Sequence, residues 1–205
     1  MKIPSPDELK AGYQEFQRRE KRDAMYKVAS FLVAHFWGKP ADMADGLGVL
    51  LLTWNQALYR YGSFDFESLE KCITENMSLL EKYRERNILS YSPHDDKDIS
   101  HLFQAFLAAL EISDGSKAGT RSPVATSKAL HLLAPEYFPL WDDKIAKAYG
   151  CHYAYKPAAK YLTFIRLCKQ IAAMLQPMMS EQNSGKTLLK LIDEYNYAKY
   201  TKGWV

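Results

Sequence analysis

An all-α fold is what this chain predicts, and three observations predict it. Apolar residues recur at three- and four-residue spacing through most of the 205 residues. No alternating apolar–polar run of useful length marks a strand. Proline, serine, aspartate and glycine punctuate the apolar stretches where helices start and stop. With 47% apolar residues the chain can bury a sizeable core, and its 25% charged content is that of an ordinary globular protein. One compact helical domain over residues 1–205, divided into two lobes, is expected, with no internal repeat.

The elements follow in order. Residues 7–37 carry Met25, Val28, Ala29, Leu32, Val33 and Phe36 at helical spacing, after Pro4 and Pro6 and before Gly38 and Pro40. Residues 43–61 are apolar nearly all round in their first half, which predicts a central, buried helix. Asp65 opens a helix with Phe66, Leu69, Ile73, Met77 and Leu80 on one stripe. Residues 90–98 read as a loop, and Ile99 to Ile112 as a further helix. The polar stretch 114–122 is the strongest loop signal in the chain. Helices are predicted at about 123–134, 142–149, 157–176 and 186–200, with a break from Pro177 to Ser184.

No stretch approaches the roughly 18 apolar residues that a membrane-spanning helix needs. Residues 1–23 lack the apolar core of a signal peptide. Cys72, Cys151 and Cys168 form no CxxC pair, so free thiols and a cytoplasmic location are expected. The five histidines are scattered, so no metal site and no cofactor are expected.

Charge is unevenly spread. Residues 1–114 hold 14 Lys/Arg and 18 Asp/Glu, a net −4, whereas residues 115–205 hold 13 and 6, a net +7. A basic half on a near-neutral chain suits a polyanion-facing surface. It equally suits a solvated face with no partner.

The stretch from Gly119 to Gly150 carries the most chemistry. Gly119 permits a tight turn. Ser122 can cap the next helix, with Pro123 at its first position. Such a helix start favours an anion, and Thr120, Arg121, Ser122 and Lys128 surround it with donors. Asp142, 17 residues after Ala125, opens the following helix with Asp143, where capping is the commonest work for an aspartate.

These residues resemble the helix-hairpin-helix DNA glycosylase superfamily. Gly119 resembles its first hairpin glycine, Ala125 its helix alanine, and Asp142 its catalytic aspartate. Lys144 stands at the family's His/Arg position and Ile145 at its apolar one. Leu50 to Gln56 resembles the buried helix that ends in Gln/Thr-rich sequence. The clear match covers about 30 residues, and the looser helical layout about 40–160. The second hairpin glycine is replaced by Arg121. Pro123 stands where bifunctional members carry a nucleophilic lysine, and Lys128, a turn and a half on, is not expected to replace it. The three scattered cysteines cannot form an iron–sulfur loop.

What the resemblance implies is a monofunctional DNA glycosylase, serving repair or antiviral defence, with a helix-hairpin-helix element at about 112–150. It would flip a damaged or modified base out of double-stranded DNA. Asp142 would stabilise the cationic sugar and position a water. Gly119, Thr120, Arg121, Ser122, Lys128 and Lys144 would grip phosphates. Trp54, Asn55, Gln56 and Trp141 would line the pocket or fill the gap left in the duplex. Trp54 and Trp141 also suit plain core packing. The aromatic and basic C-terminal stretch, with Tyr195, Tyr197, Tyr200 and Trp204, suits a packing stripe or nucleic-acid contact. A monomer is expected. Two other readings stay open: a non-catalytic DNA-binding module, and a helical protein-interaction domain with Asp142 as a simple cap.

Overall fold

The first helix, α1 (Pro6–Arg19), shows how locally these elements are specified. Ser5 caps it: the Ser5 hydroxyl accepts from the Glu8 amide at 3.2 Å, and the Glu8 carboxylate accepts from the Ser5 amide at 2.8 Å. Pro6 fills the first position, where a missing amide proton is harmless.

The computed structural model describes residues 3–179 and 186–205. Among them the fold is all-α, with no strand. After α1 come α2 (Ala24–His35), α3 (Pro40–Trp54), α4 (Gln56–Tyr59), α5 (Phe66–Arg84) and α6 (Asp96–Ala109). Then follow α7 (Pro123–Leu133), α8 (Asp143–Ala148), α9 (Pro157–Met179) and α10 (Leu188–Asn196), which runs into a π-helical turn at Tyr197–Thr201.

Several boundaries differ from those expected. The predicted helix over 7–37 is two helices, broken at Asp23, whose φ of +41° lies in the left-handed region. The central helix starts at Pro40 and pauses at Asn55 before the single turn of α4. The stretch expected as a loop at 90–98 follows a 3₁₀ turn at Ile88–Ser90 and holds a second at Pro93–Asp95 and the first turn of α6. Helix α9 carries Pro177 inside its last turn rather than ending before it. Its expected break lies partly at residues 180–185, outside the described residues.

Helix α3 packs on α2, α5 and α7, α6 packs on α5 and α7, and α1 pairs with α10 along most of its length. Helix α9 joins these groups by packing on both α6 and α10. The α1–α10 approach is close enough to need glycine. A Cβ on Gly12 would stand 2.4 Å from the Tyr195 ring. The buried apolar residues form one contiguous cluster from Leu9 to Tyr195.

Several polar groups in that interior are well partnered. Asp95 accepts two bonds from Arg86, at 2.7 and 2.9 Å, one from Tyr137 at 3.0 Å and one from the Ser92 amide at 2.9 Å. Arg86 holds its carboxyl far below the usual range. His131 Nδ1 donates to the Phe138 carbonyl at 2.7 Å, and burial pushes its pKa down to about 4, so the ring is neutral. Its Nε2 then accepts from the Tyr26 hydroxyl at 3.1 Å. The three cysteines are free and buried, and burial raises each thiol pKa. Among the described residues no helix is long and apolar enough to cross a membrane.

Candidate active site

Helix α8 begins at an aspartate because an N-terminal turn leaves amide protons without partners. Asp142 supplies one acceptor: its Oδ1 accepts from the Ile145 amide at 2.8 Å. Its Oδ2 accepts from the Thr201 hydroxyl at 2.5 Å. Asp142 is therefore a cap, as aspartates in such places usually are. It also lines a small cavity of about 200 Å³. Capping and cavity lining are compatible here, because the side chain sits at the surface of the helix head and is only part-buried.

The cavity forms where α3, α7, the head of α8, the α1–α2 junction and α10 meet. Trp54, from the end of α3, and Lys128, from the middle of α7, make one wall. Leu140, Trp141, Asp142 and Ile145 bring in the head of α8. Phe16, Glu20 and Asp23 come from the α1–α2 junction, and Lys190, Asp193 and Tyr197 from α10 and the turn after it. One part is aromatic and the other carries paired charges. A wider groove of about 440 Å³ adjoins it, sharing Glu20, Asp23 and Lys190 and adding Lys21, Lys27 and Lys186.

The two lysines in the cavity have opposite surroundings. Lys190 Nζ lies 2.9 Å from Asp23 and 3.4 Å from Asp193. Burial works against its charge, but these carboxylates outweigh it and carry the pKa up to about 12. Asp193 is buried deeply enough that its own pKa is pushed up to about 6 despite Lys190. Lys128 has only neutral acceptors close by. Its Nζ donates to the Asn55 side-chain oxygen at 2.6 Å and to the Trp54 carbonyl at 3.2 Å, and lies 4.6 Å from the centre of the Trp54 ring. Burial pulls its pKa down to about 8, against a weaker opposing pull from Asp193 and Asp142. The Asn55 side-chain amide is buried, and its Nδ2 has no hydrogen-bond partner.

The residues singled out from the sequence divide into two groups. Trp54, Lys128, Trp141 and Asp142 meet at the cavity, and Asn55 stands behind Lys128. Trp141 is only 1% exposed, packing on Phe103, Tyr153, Tyr161 and Phe164, with its indole N–H donated to the Pro123 carbonyl. It is a wall of the cavity built into the core. Gln56 is exposed at the start of α4, away from the lining residues.

Gly119, Thr120, Arg121 and Ser122 belong to the loop between α6 and α7. Gly119 takes φ +83°, and Ser122 caps α7 by accepting from the Ala125 amide at 3.1 Å. The amides of Ala118, Gly119 and Thr120 bond within the loop or back to Ile112. Arg121 pairs with Glu111 at 2.5 Å and lines a separate shallow depression with Asp65 and Ser68. Lys144 is exposed, and its Nζ donates to the Thr201 carbonyl at 2.9 Å.

Sequence reading missed the contribution of the α1–α2 junction and of α10. The signal in α10 is visible afterwards: Lys190 and Asp193 lie three apart inside an otherwise apolar stripe, a spacing that places them on one face. Nothing local marks Phe16 or Glu20. Among the described residues no cluster of three potential metal ligands occurs. No family model, no curated protein and no solved structure matches this chain.

Proposed function

We propose that this chain is a monofunctional DNA N-glycosylase that releases a damaged or modified base from a nucleotide flipped into the cavity at the head of α8. The observation that carries the reading is the convergence of Asp142, Trp54, Trp141 and Lys128 on one small cavity. At about 200 Å³ the cavity is smaller than the roughly 300–1,000 Å³ typical of drug-sized ligands, so it suits one flat ring system. Aromatic side chains offer faces for such a ring. Asp142, held in place by Ile145 and Thr201, offers a fixed negative charge for a sugar that becomes cationic as its glycosidic bond breaks.

Backbone phosphates would be met by side chains. The amides of the loop before α7 are largely spent within the loop, whereas Lys117 and Arg60 flank the Tyr61 ring beside it, at 4.2 and 4.7 Å. Lys21 and Lys27 add positive charge at the groove next to the cavity. Lys128 belongs to the cavity wall in this reading and leaves phosphate contact to those residues.

The test is a panel of duplexes carrying damaged or modified bases, including hypermodified cytosines, assayed for abasic sites. The wild type should release one of them, and Asp142→Asn should lose about 100-fold or more of that rate. Asparagine can still accept from the Ile145 amide, so the variant should fold and bind duplex normally. Salt-sensitive DNA binding without release from any duplex would leave a binding module, and no DNA binding at all would sink the nucleic-acid reading.

A further inference from the structure

We infer that Lys128 is the general base of this cavity, taking the proton of the water that attacks the sugar carbon, while Asp142 supplies charge alone. The inference rests on the glycosylase reading and adds a second catalytic residue to it.

Asp142 is already committed as a cap. Both of its oxygens already accept, from the Ile145 amide and the Thr201 hydroxyl. These two bonds fix the carboxylate as the cap of α8. The other carboxylates of the cavity are differently occupied: Asp23 and Asp193 are committed to Lys190. Glu20 is exposed at the rim.

Lys128 has the features a base needs. A neutral amine carries two N–H groups and one lone pair. The two nearby acceptors, Asn55 Oδ1 and the Trp54 carbonyl, match the two N–H groups, so the lone pair is left for a third partner. Among the described residues no carboxylate comes within ion-pair distance of Nζ, in contrast with Lys190. The amine lies in the cavity wall with Trp54 beside it and Asp142 in the same lining. Its pKa of about 8 leaves a substantial neutral fraction near neutral pH, where general bases work best. The titratable groups facing the cavity from its other elements are Asp142, Asp193, Lys190, Tyr197, Asp23 and Glu20.

The step balances. The C1′–N bond breaks, and its electron pair stays on the base nitrogen. A lone pair of water forms the new C1′–O bond, and the proton lost from that water goes to Lys128 Nζ. The resulting ammonium gives a proton to the departed base nitrogen, which restores the amine. The net change is hydrolysis of one glycosidic bond, with no oxidant or reductant.

Measurements on this 205-residue chain test the assignment. Competitive acetylation with trace acetic anhydride between pH 6 and pH 11, read by mass spectrometry, needs no substrate. The Lys128 labelling midpoint should fall near 8, and a midpoint matching exposed Lys156 overturns the proposal. Single-turnover base release should rise tenfold per pH unit up to about pH 8. Lys128→Met and Lys128→Arg should lose about 100-fold or more and the pH limb with it. Small primary amines should restore part of the rate to Lys128→Ala. Variants that keep the wild-type rate and pH limb overturn the proposal, as does a borohydride-trapped adduct on Lys128, which would mark it as a nucleophile. Failure of the wild type to release any base overturns the glycosylase reading itself, an outcome distinct from these.

Discussion

Lys128 Nζ lies 2.6 Å from Asn55 Oδ1, a contact that joins the middle of α7 to the end of α3 across 73 residues of sequence. An ammonium held by a neutral amide and a carbonyl gains less than one held by a carboxylate. The same cavity shows the contrast in Lys190, which Asp23 and Asp193 keep charged. The neutral partner is what allows burial to lower the Lys128 pKa.

Asn55→Asp replaces that partner by a charge at the same distance. An opposite charge so close moves a pKa by about one to three pH units, so Lys128 should titrate at about 10. The neutral fraction of Lys128 at pH 7.5, and base release with it, should then fall roughly 50- to 100-fold, with the alkaline limb moved upward. The acetylation midpoint of Lys128 and the pH–rate profile check this together. An unmoved midpoint would show that Asn55 does not set the Lys128 charge.

The depressed Lys128 also has a sign for stability. The unfolded chain holds this proton up to about pH 10.5, whereas the folded chain releases it near 8. Between those values the unfolded state binds more protons, so stability rises with pH across that window. Below pH 8 the buried charge costs free energy. Lys128→Met should therefore raise stability at pH 7 by about 1–2 kcal/mol and flatten the rise between pH 8 and 10.5. Urea denaturation at pH 7 and pH 10 measures both.

Asp95 gives the same slope in a lower pH window, but here the charged form is the one that stabilises the fold. Its carboxyl is held low by Arg86, so its contribution is present above the unfolded value of about 4 and is lost as pH falls through the folded value. Asp95→Asn should cost about 3 kcal/mol at pH 7, because it leaves Arg86 without its two-point partner. The same variant should show a flatter loss of stability in acid, followed by circular dichroism.

Two glycines in the loop before α7 should behave differently. Gly115 takes φ +75°, and a Cβ there would stand 2.1 Å from the Tyr61 carbonyl oxygen. Gly119 takes φ +83° with nothing within 4 Å of its Cβ position. Gly119→Ala should cost only the left-handed backbone strain, about 1 kcal/mol, and Gly115→Ala about 3 kcal/mol or more. Thermal melts of the two variants give the comparison. Equal losses would mean that the loop is not clamped on Tyr61.

Local sequence was enough for most of the helices and for several of their caps. Ser122 with Pro123, Asp65 and Asp142 are written in residue types whose side chains satisfy amides one turn away. Apolar spacing marked the inward face of α5 but not of α2, where Met25 and Val28 are exposed, and Asp142 was legible as the acid at the head of a helix. Tertiary structure decided what that acid faces. Asp142, Lys128 and the adjacent pair Trp54–Asn55 come from three separate elements, and Phe16, Asp193 and Tyr197 reach the cavity from near the two ends of the chain. It also decided that Lys128 is a depressed amine in a cavity wall rather than one more basic residue beside a loop. Capping and periodicity are set by neighbours within a turn. Burial and electrostatic partners are set by whichever helices pack together, and that information is not carried by any one stretch of sequence.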